Sequence, residues 1–181
     1  HDMIRKRGSF DTTLEKIKCL RDAGIRCVIM TTVSGTNKDE IPGIIDVVVE
    51  HHADVFAFAR YCPTSTEKSA HLTPLEYKGV LEACWDKFEQ YKDKETSFNL
   101  KDHLWTLFLH EKGLFKIQDN LEADTMYEGC NCGNCHMTIL PEGDVYACRR
   151  FESNVGNVFT ERLYDVFTGD KMDDFRHYEK F

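Results

Sequence analysis

Four cysteines lie close together near the C-terminal end of the chain, and they constrain the fold more than any other feature. The heptapeptide CNCGNCH and the residues after it contain Cys130, Cys132, Cys135 and Cys148. Soft thiolate ligands select zinc, Cu(I) or iron–sulfur clusters, and zinc and cluster iron share tetrahedral sulfur coordination. The spacing therefore predicts a metal site formed by these four residues, and it leaves zinc and iron open.

A zinc site is the simpler of the two outcomes chemically, but the spacing fits it poorly. Zinc sites usually contain two separated CxxC or CxxH pairs. Cys132 and Cys135 could form one such pair, whereas Cys148 has no near partner, so Cys130 or His136 would have to complete a cramped site. A zinc-binding structural or peptide-recognition module without redox chemistry is therefore the alternative interpretation.

The residues before Cys148 predict a turn that leads into a short strand. The segment PEGDVYAC, residues 141–148, begins with turn residues and continues with β-branched and aromatic ones. Such a strand would place Cys148 at a fixed distance from Gly143.

Composition excludes several classes of partner. The chain has 181 residues, 41% of them hydrophobic, which suits one domain or a domain with a small appendage. A net charge of −8 disfavours nucleic acid as a partner, and no apolar run approaches the roughly 20 residues that span a membrane. Eight cysteines without a signal-like segment predict a reducing compartment, the cytoplasm.

The first part of the chain alternates predicted helices and strands. A capping box at Thr12 and Glu15 predicts a helix over 12–24, and the apolar, β-branched run 25–33 predicts a strand buried on both faces. A helix over 39–52 tolerates Pro42 in its first turn, and a second strand follows over 55–61. This order predicts right-handed parallel crossover units, as in an α/β barrel or an open doubly wound sheet.

Two more helices are predicted before the cysteines. Thr73 and Glu76 form a second predicted capping box, for a helix from Pro74 to about residue 94. Another helix is predicted over 101–112 and ends at Gly113. The boundary between the two parts of the chain is predicted within 116–129.

Polar residues follow the two predicted strands at their carboxyl ends, where α/β folds place their chemistry. Arg60 ends the second strand, where an unpaired charge would be costly, so it must face a partner or a wet cavity. Asn37 follows the first strand and could line the same cavity with Thr31 and Ser34.

The pattern Cys132-x10-Gly143-x4-Cys148 resembles the opening of the SPASM extension, the C-terminal auxiliary-cluster module of one branch of the radical S-adenosylmethionine (SAM) enzymes. Two segments after it, RRFE at 149–152 and VGNV at 155–158, resemble the continuation of that module, where the glycine–asparagine pair begins the next helix. Upstream, HDMIRKRGSF at 1–10 resembles the loop after the fourth barrel strand. The resemblance covers essentially the whole chain.

The resemblance implies a fold and a domain organisation. Residues 1–115 would be the second half of a partial (β/α)6 TIM-like barrel with its following helices. Residues 116–181 would be the first part of a small, cysteine-rich α+β auxiliary-cluster domain with a β-hairpin. Neither the CxxxCxxC motif of the SAM-binding cluster nor the later SPASM cysteines occur in the sequence, so we expect a fragment that is inactive by itself.

The resemblance also implies cofactors and their ligands. A [4Fe–4S] auxiliary cluster would bind Cys132 and Cys148, and the SAM-binding cluster would lie outside this chain. Position 135 is commonly glycine in the family, so the choice among Cys130, Cys132 and Cys135 stays open. Arg5 lies in the loop that contributes a basic contact to the SAM carboxylate in related enzymes, a task that suits a guanidinium.

Together with Arg5, the strand-end residues Asn37 and Arg60 are the predicted cofactor-binding residues. The implied activity is that of a radical SAM oxidoreductase that uses a 5′-deoxyadenosyl radical to modify a peptide or small protein. A thioether or carbon–carbon cross-link in a ribosomally made peptide is the expected product, and a formylglycine-forming, sulfatase-maturating activity is a second alternative. Flavodoxin or ferredoxin is the expected electron donor.

Overall fold

The computed structural model describes residues 1–62, 70–100, 102–116 and 132–177. The chain divides into two compact units, residues 1–119 and 120–181, and each is described by itself. The predicted boundary between residues 115 and 116 stays a prediction, since residues 117–131 lie outside the described part.

The first unit contains a parallel sheet and α-helices. Its strands are β1 (Val28–Val33), β2 (Val55–Arg60) and β3 (Ser97–Asn99). Its helices are α1 (Ser9–Asp22), α2 (Ile41–Glu50), α3 (Pro74–Gln90) and α4 (Leu104–Glu111). The strands pair in the order β1-β2-β3, and both pairings are parallel. This confirms a mixed α/β fold, while half a (β/α)6 barrel stays the finer prediction.

Strand β2 forms the centre of the sheet and carries its core. Val28 of β1 pairs with Val55, and Val33 pairs with Arg60. Fully buried side chains from β2, α2 and α4 pack together: Phe56, Phe58, Ile41, Ile45 and Trp105. Burial of each such side chain contributes about 1.5 to 3 kcal/mol. The core therefore fixes the carboxyl end of β2, where Arg60 lies.

Helix α1 begins earlier than predicted, because its first N–H groups find a distant acceptor. The Asp2 carboxylate accepts hydrogen bonds from the backbone N–H groups of Gly8 (2.6 Å) and Phe10 (2.8 Å). Thr12 lies inside the helix, where its hydroxyl donates to the Gly8 carbonyl at 3.0 Å. The predicted capping box at Thr12 is therefore wrong.

Strand β1 is shorter and more exposed than predicted. It begins at Val28, and the side chains on one face stay in solvent, with Val28 52% and Met30 47% exposed. β1 is the edge strand of the described sheet. The prediction of a strand buried on both faces is wrong for β1, whereas the first four residues of β2 are all buried.

The second capping box is confirmed. Thr73 Oγ1 accepts a hydrogen bond from the Glu76 N–H at 3.2 Å, and the Glu76 carboxylate accepts one from the Thr73 N–H at 2.9 Å. The helix ends at Gln90, before the predicted residue 94. Helix α4 begins at Leu104 instead of residue 101, and the short strand β3 was not predicted.

The second unit contains a small antiparallel sheet followed by two short helices. Its elements are β4 (Thr138–Ile139), β5 (Asp144–Tyr146), β6 (Asn154–Asn157), α5 (Leu163–Thr168) and α6 (Asp170–Asp174). The strand order is β4-β5-β6, and both pairings are antiparallel. Strand β5 directly follows the turn at Gly143, so the predicted turn into a short strand before Cys148 is confirmed.

Two glycines shape this sheet. Gly143 turns the chain between β4 and β5 with a φ of +84°, which a side chain would disfavour. Gly156 and Asn157 belong to β6, and α5 begins only at Leu163. The expectation that the glycine–asparagine pair begins a helix is therefore wrong. Buried side chains around it form a separate core: Val145, Ala147, Val155, Val166 and Met172.

Candidate functional site

The loop after Cys132 brings one predicted ligand next to a histidine. Gly133 has a φ of +75°, so the chain reverses at once, and Cys132 and His136 form an isolated β-bridge. The Cys132 Sγ and His136 Nε2 atoms are 3.5 Å apart. Cys132 is half-buried, whereas Cys135 is exposed. Cys130 lies outside the described residues.

An arginine that follows α6 holds this loop in place. Arg176 Nε donates a hydrogen bond to the Gly133 carbonyl at 2.8 Å. The same guanidinium donates to the Phe167 carbonyl, lies 4.8 Å from the centre of the Phe167 ring and pairs with Asp173 at 3.6 Å. A Cβ on Gly133 would approach the Phe175 Cβ to 3.3 Å. The loop conformation therefore depends on packing against residues far along the chain.

Cys148 is fixed after β5 by its neighbours. Its N–H donates to the hydroxyl of the buried Ser153 at 2.9 Å. The backbone N–H of Arg150 donates to Cys148 Sγ at 3.4 Å. Backbone N–H groups aimed at sulfur are among the features that tune iron–sulfur clusters.

The donor chemistry of the predicted ligands fits an iron–sulfur cluster, although those in the described part of the chain do not come together at one point. The seven cysteines in the described part of the chain form no disulfide. Within those residues, no group of three or more His, Cys, Asp or Glu side chains is placed to hold a metal ion. The structure thus brings Cys132 to His136 but does not join Cys135 or Cys148 to them. The ligand set stays a prediction.

Arg60 at the carboxyl end of β2 has a buried partner. Its Nε donates to Asp102 Oδ2 at 3.0 Å, and the Asp102 side chain is only 1% exposed. Burial opposes ionisation, but hydrogen bonds from the Leu104 N–H and from Arg60 outweigh it, so the pKa of Asp102 lies below its ordinary value. The guanidinium also lies 5.3 Å from the centre of the Tyr77 ring.

The sequence did not indicate Asp102 as the partner of Arg60. A weak signal was present, because an aspartate near the start of a helix often accepts from its first N–H groups. Asp102 does so with the N–H of Leu104 at 3.0 Å.

Asn37 closes a turn at the neighbouring strand end. Its Oδ1 accepts from the Ser34 N–H at 2.8 Å, and its Nδ2 donates to the Thr32 carbonyl at 2.9 Å. Because β1 and β2 are adjacent and parallel, Asn37 and Arg60 lie at the same edge of the sheet. Arg5 is exposed near the N-terminus. The cofactor roles of Arg5, Asn37 and Arg60 stay predictions.

A cavity of about 530 Å³ lies elsewhere in the first unit. It is found where α2 leads into β2 and α3 leads into β3, so it is at the amino ends of these strands. Its lining includes Asp46, Glu50, Tyr91 and Glu95, and none of the predicted site residues. Lys87 binds Asp46 at 2.6 Å, so part of this acidic charge is compensated.

Residues 130–181 match the family model of SPASM, described as an iron–sulfur cluster-binding domain. We call residues 130–181 the SPASM segment, after the domain that they resemble. The SPASM segment therefore starts at the first cysteine of the group and includes the described loop, the antiparallel sheet and both short helices.

Curated relatives extend the likeness to the whole chain. An AdoMet-dependent heme synthase of Nitratidesulfovibrio vulgaris (strain Hildenborough) is 28% identical over 98% of this chain and 50% of its own length. An enzyme of the same name from Oleidesulfovibrio alaskensis (strain G20) is 29% identical over 92% of this chain and 45% of its own length. The chain spans about half the length of the curated relatives it matches. With the SPASM match, they show that it is related to radical SAM enzymes.

Solved structures show the same fold. Streptococcus suis SuiB bound to S-adenosylmethionine superposes with a TM-score of 0.68, is 21% identical and covers 93% of this chain and 39% of its own. SuiB bound to the precursor peptide SuiA gives a TM-score of 0.67 at the same identity and coverage.

Across the described residues, no helix has both the length and the apolar character required to cross a bilayer.

Proposed function

We propose that the protein to which this chain belongs is a radical SAM enzyme, and that its SPASM segment contributes ligands to an auxiliary iron–sulfur cluster. One observation carries the proposal: the SPASM match begins at Cys130 and includes Cys132, Cys135 and Cys148. Nitrogen atoms lie close to the sulfur atoms of Cys132 and Cys148, which suits thiolates that carry negative charge as iron ligands.

The first unit would position SAM or substrate at the carboxyl edge of its sheet. In this proposal the Nε of Arg60 is held by Asp102, and the terminal N–H groups of the guanidinium contact a carboxylate. Arg5 and Asn37 contribute the other polar contacts. When bound, the SAM-ligated cluster would supply the electron that cleaves SAM, and the resulting 5′-deoxyadenosyl radical would take a hydrogen atom from the substrate. Flavodoxin or ferredoxin is the proposed electron donor.

A peptide is the first candidate substrate. SuiB bound to its precursor peptide shares the fold of this chain, and the likeness covers 93% of the residues of this chain. A thioether or carbon–carbon cross-link is the proposed modification, with formylglycine formation as the alternative. The test is to co-express the complete enzyme with a candidate precursor peptide and to measure the mass of that peptide. Each cross-link would remove two hydrogen atoms, and an unchanged peptide mass would contradict this candidate.

A heme precursor is the second candidate substrate. Both curated relatives are called heme synthases, and they are related over 92% or more of this chain. The two candidates differ in a simple assay, because a heme-forming enzyme would change the absorbance of a porphyrin substrate. A peptide-modifying enzyme would leave that spectrum unchanged.

The proposal for the SPASM segment is tested by metal analysis. We expect the anaerobically purified and reconstituted chain to contain iron and acid-labile sulfide, with absorbance near 400 nm. Cys132→Ser and Cys148→Ser should lower both contents, whereas Cys19→Ser, an exposed cysteine outside the group, should not. Stoichiometric zinc without sulfide would instead support a structural module, and the absence of any bound metal would contradict both interpretations.

A further inference from the structure

His136 lies beside Cys132, and neither the SPASM match nor the relatives give it a role. We propose that His136 donates a hydrogen bond to the sulfur of Cys132 and thereby raises the reduction potential of the auxiliary cluster. This inference rests on the proposed function, since it requires Cys132 to hold iron. His136 would be a positioning and tuning residue, with no contact to substrate.

The direction of the hydrogen bond follows from the chemistry of the two groups. An iron-bound cysteine is a thiolate, so its sulfur has no proton and can only accept. The imidazole must then carry its proton on Nε2, the atom 3.5 Å from Cys132 Sγ. Iron binding would therefore select one tautomer of His136.

The backbone conformation of the loop positions the Cys132 and His136 side chains next to each other. Gly133 reverses the chain directly after Cys132, and Arg176 holds the Gly133 carbonyl at 2.8 Å. The bridge between Cys132 and His136 then places both side chains on the same side of the turn. The sulfur of Cys148 receives a comparable N–H contact, from the backbone of Arg150 at 3.4 Å.

A hydrogen bond to a ligand sulfur stabilises the reduced cluster more than the oxidised one, because reduction adds negative charge to the sulfur atoms. His136 is exposed, so water replaces part of the lost interaction when the donor is removed. We therefore expect loss of the donor to lower the equilibrium constant for reduction of the cluster about three- to tenfold.

Direct binding of His136 to the same metal as Cys132 is the competing arrangement. A tetrahedral ion with about 2.3 Å to sulfur and 2.0 to 2.1 Å to nitrogen would separate these atoms by about 3.6 Å. The distance therefore fits this arrangement too. A [4Fe–4S] cluster, however, takes one protein ligand on each of its four irons. Shared binding thus belongs to the zinc interpretation and would overturn the proposal.

The experiment compares three variants of the complete, reconstituted chain with the wild type. His136→Leu removes the donor, His136→Gln retains an N–H donor, and His110→Leu changes an exposed histidine of the first unit. Iron and sulfide content are measured first, and the potential is then obtained by a redox titration followed by electron paramagnetic resonance. Samples with ¹⁵N-labelled histidine show whether a nitrogen is bound to iron.

We expect all variants to retain iron and sulfide. His136→Leu should lower the midpoint potential, at about 59 mV for each tenfold change in a one-electron equilibrium. His136→Gln should restore part of the potential, and His110→Leu should leave it unchanged. An unchanged potential in His136→Leu, its loss of iron, or a directly bound histidine nitrogen would overturn the inference. A wild-type chain without iron and sulfide would instead refute the proposed function of the segment.

Discussion

Replacement of Arg60 by methionine should destabilise the first unit through the carboxylate that it leaves behind. Asp102 is 1% exposed at its side chain and receives hydrogen bonds from Arg60 and from the Leu104 N–H. Removal of one partner from a buried ion pair costs about 3 to 5 kcal/mol. Because the Arg60 side chain is 40% exposed, solvent screens part of this interaction, and we expect about 2 to 3 kcal/mol at neutral pH.

The pH dependence of this effect provides a stricter test than its size. The pKa of Asp102 is depressed in the folded wild type, so its contribution to stability is present above the unfolded pKa and is lost as the pH falls through the folded pKa. In Arg60→Met, burial is no longer offset by the cation, so the pKa of Asp102 rises. Ionisation then opposes folding, and the destabilisation should be largest at neutral pH and shrink toward about pH 4 as Asp102 becomes protonated.

Urea unfolding at several pH values measures the effect, and both tryptophans of the chain, Trp85 and Trp105, report on the first unit. Lys78→Met is the matched control, because it removes an ion pair with Glu111 in which both side chains are about half exposed. It should cost less than about 1 kcal/mol. A cost of Arg60→Met no greater than that of this control, or an equal cost at neutral and acidic pH, would contradict the expected effect of the buried carboxylate.

Three further substitutions test local features. Thr73→Ala removes the acceptor of the confirmed capping box and should cost about 1 kcal/mol in urea unfolding, whereas Thr12→Ala, which removes no cap, should cost clearly less. Gly143→Ala would hold a side chain at a φ of +84°, with its Cβ 2.4 Å from Cδ2 of the exposed Phe159 ring, which can rotate away. The backbone strain should therefore destabilise the second unit by about 1 to 3 kcal/mol and accelerate amide exchange in β5; unchanged exchange would contradict this. Arg176→Met should loosen the cysteine loop and lower the iron content of the reconstituted chain, and full retention of iron would show that the loop does not need this anchor.

Local features of the fold could be predicted, whereas features that depend on distant residues could not. The capping box of α3 joins Thr73 and Glu76, which lie three residues apart at the start of one helix, so the sequence contained the whole motif. The start of α1 depends on Asp2, whose carboxylate accepts a hydrogen bond from the N–H of Gly8, six residues further along the chain. The partner of Arg60 lies 42 residues further along the chain, so its contact depends on the sheet and not on any local pattern.

The exposure of one face of β1 also depends on residues outside the local sequence. An apolar run such as 25–33 predicts a strand, but it does not show whether a further strand or helix covers each face. In the described residues β1 is an edge strand, and Val28 and Met30 remain in solvent. The prediction therefore failed in burial and not in the type of element.

The motif of the SPASM segment specifies donor atoms, but their properties depend on residues that it does not contain. The resemblance to the SPASM module predicts Cys132 and Cys148 as ligands, since both belong to one short pattern. The anchor of the loop, Arg176, lies 43 residues from the carbonyl that it holds, and His136 occupies a position that the pattern leaves free. Iron content should therefore depend on the cysteines and on the anchor, whereas the reduction potential should depend on His136. If substitution of His136 changed both quantities together, the histidine would be a ligand, and this separation of roles would fail.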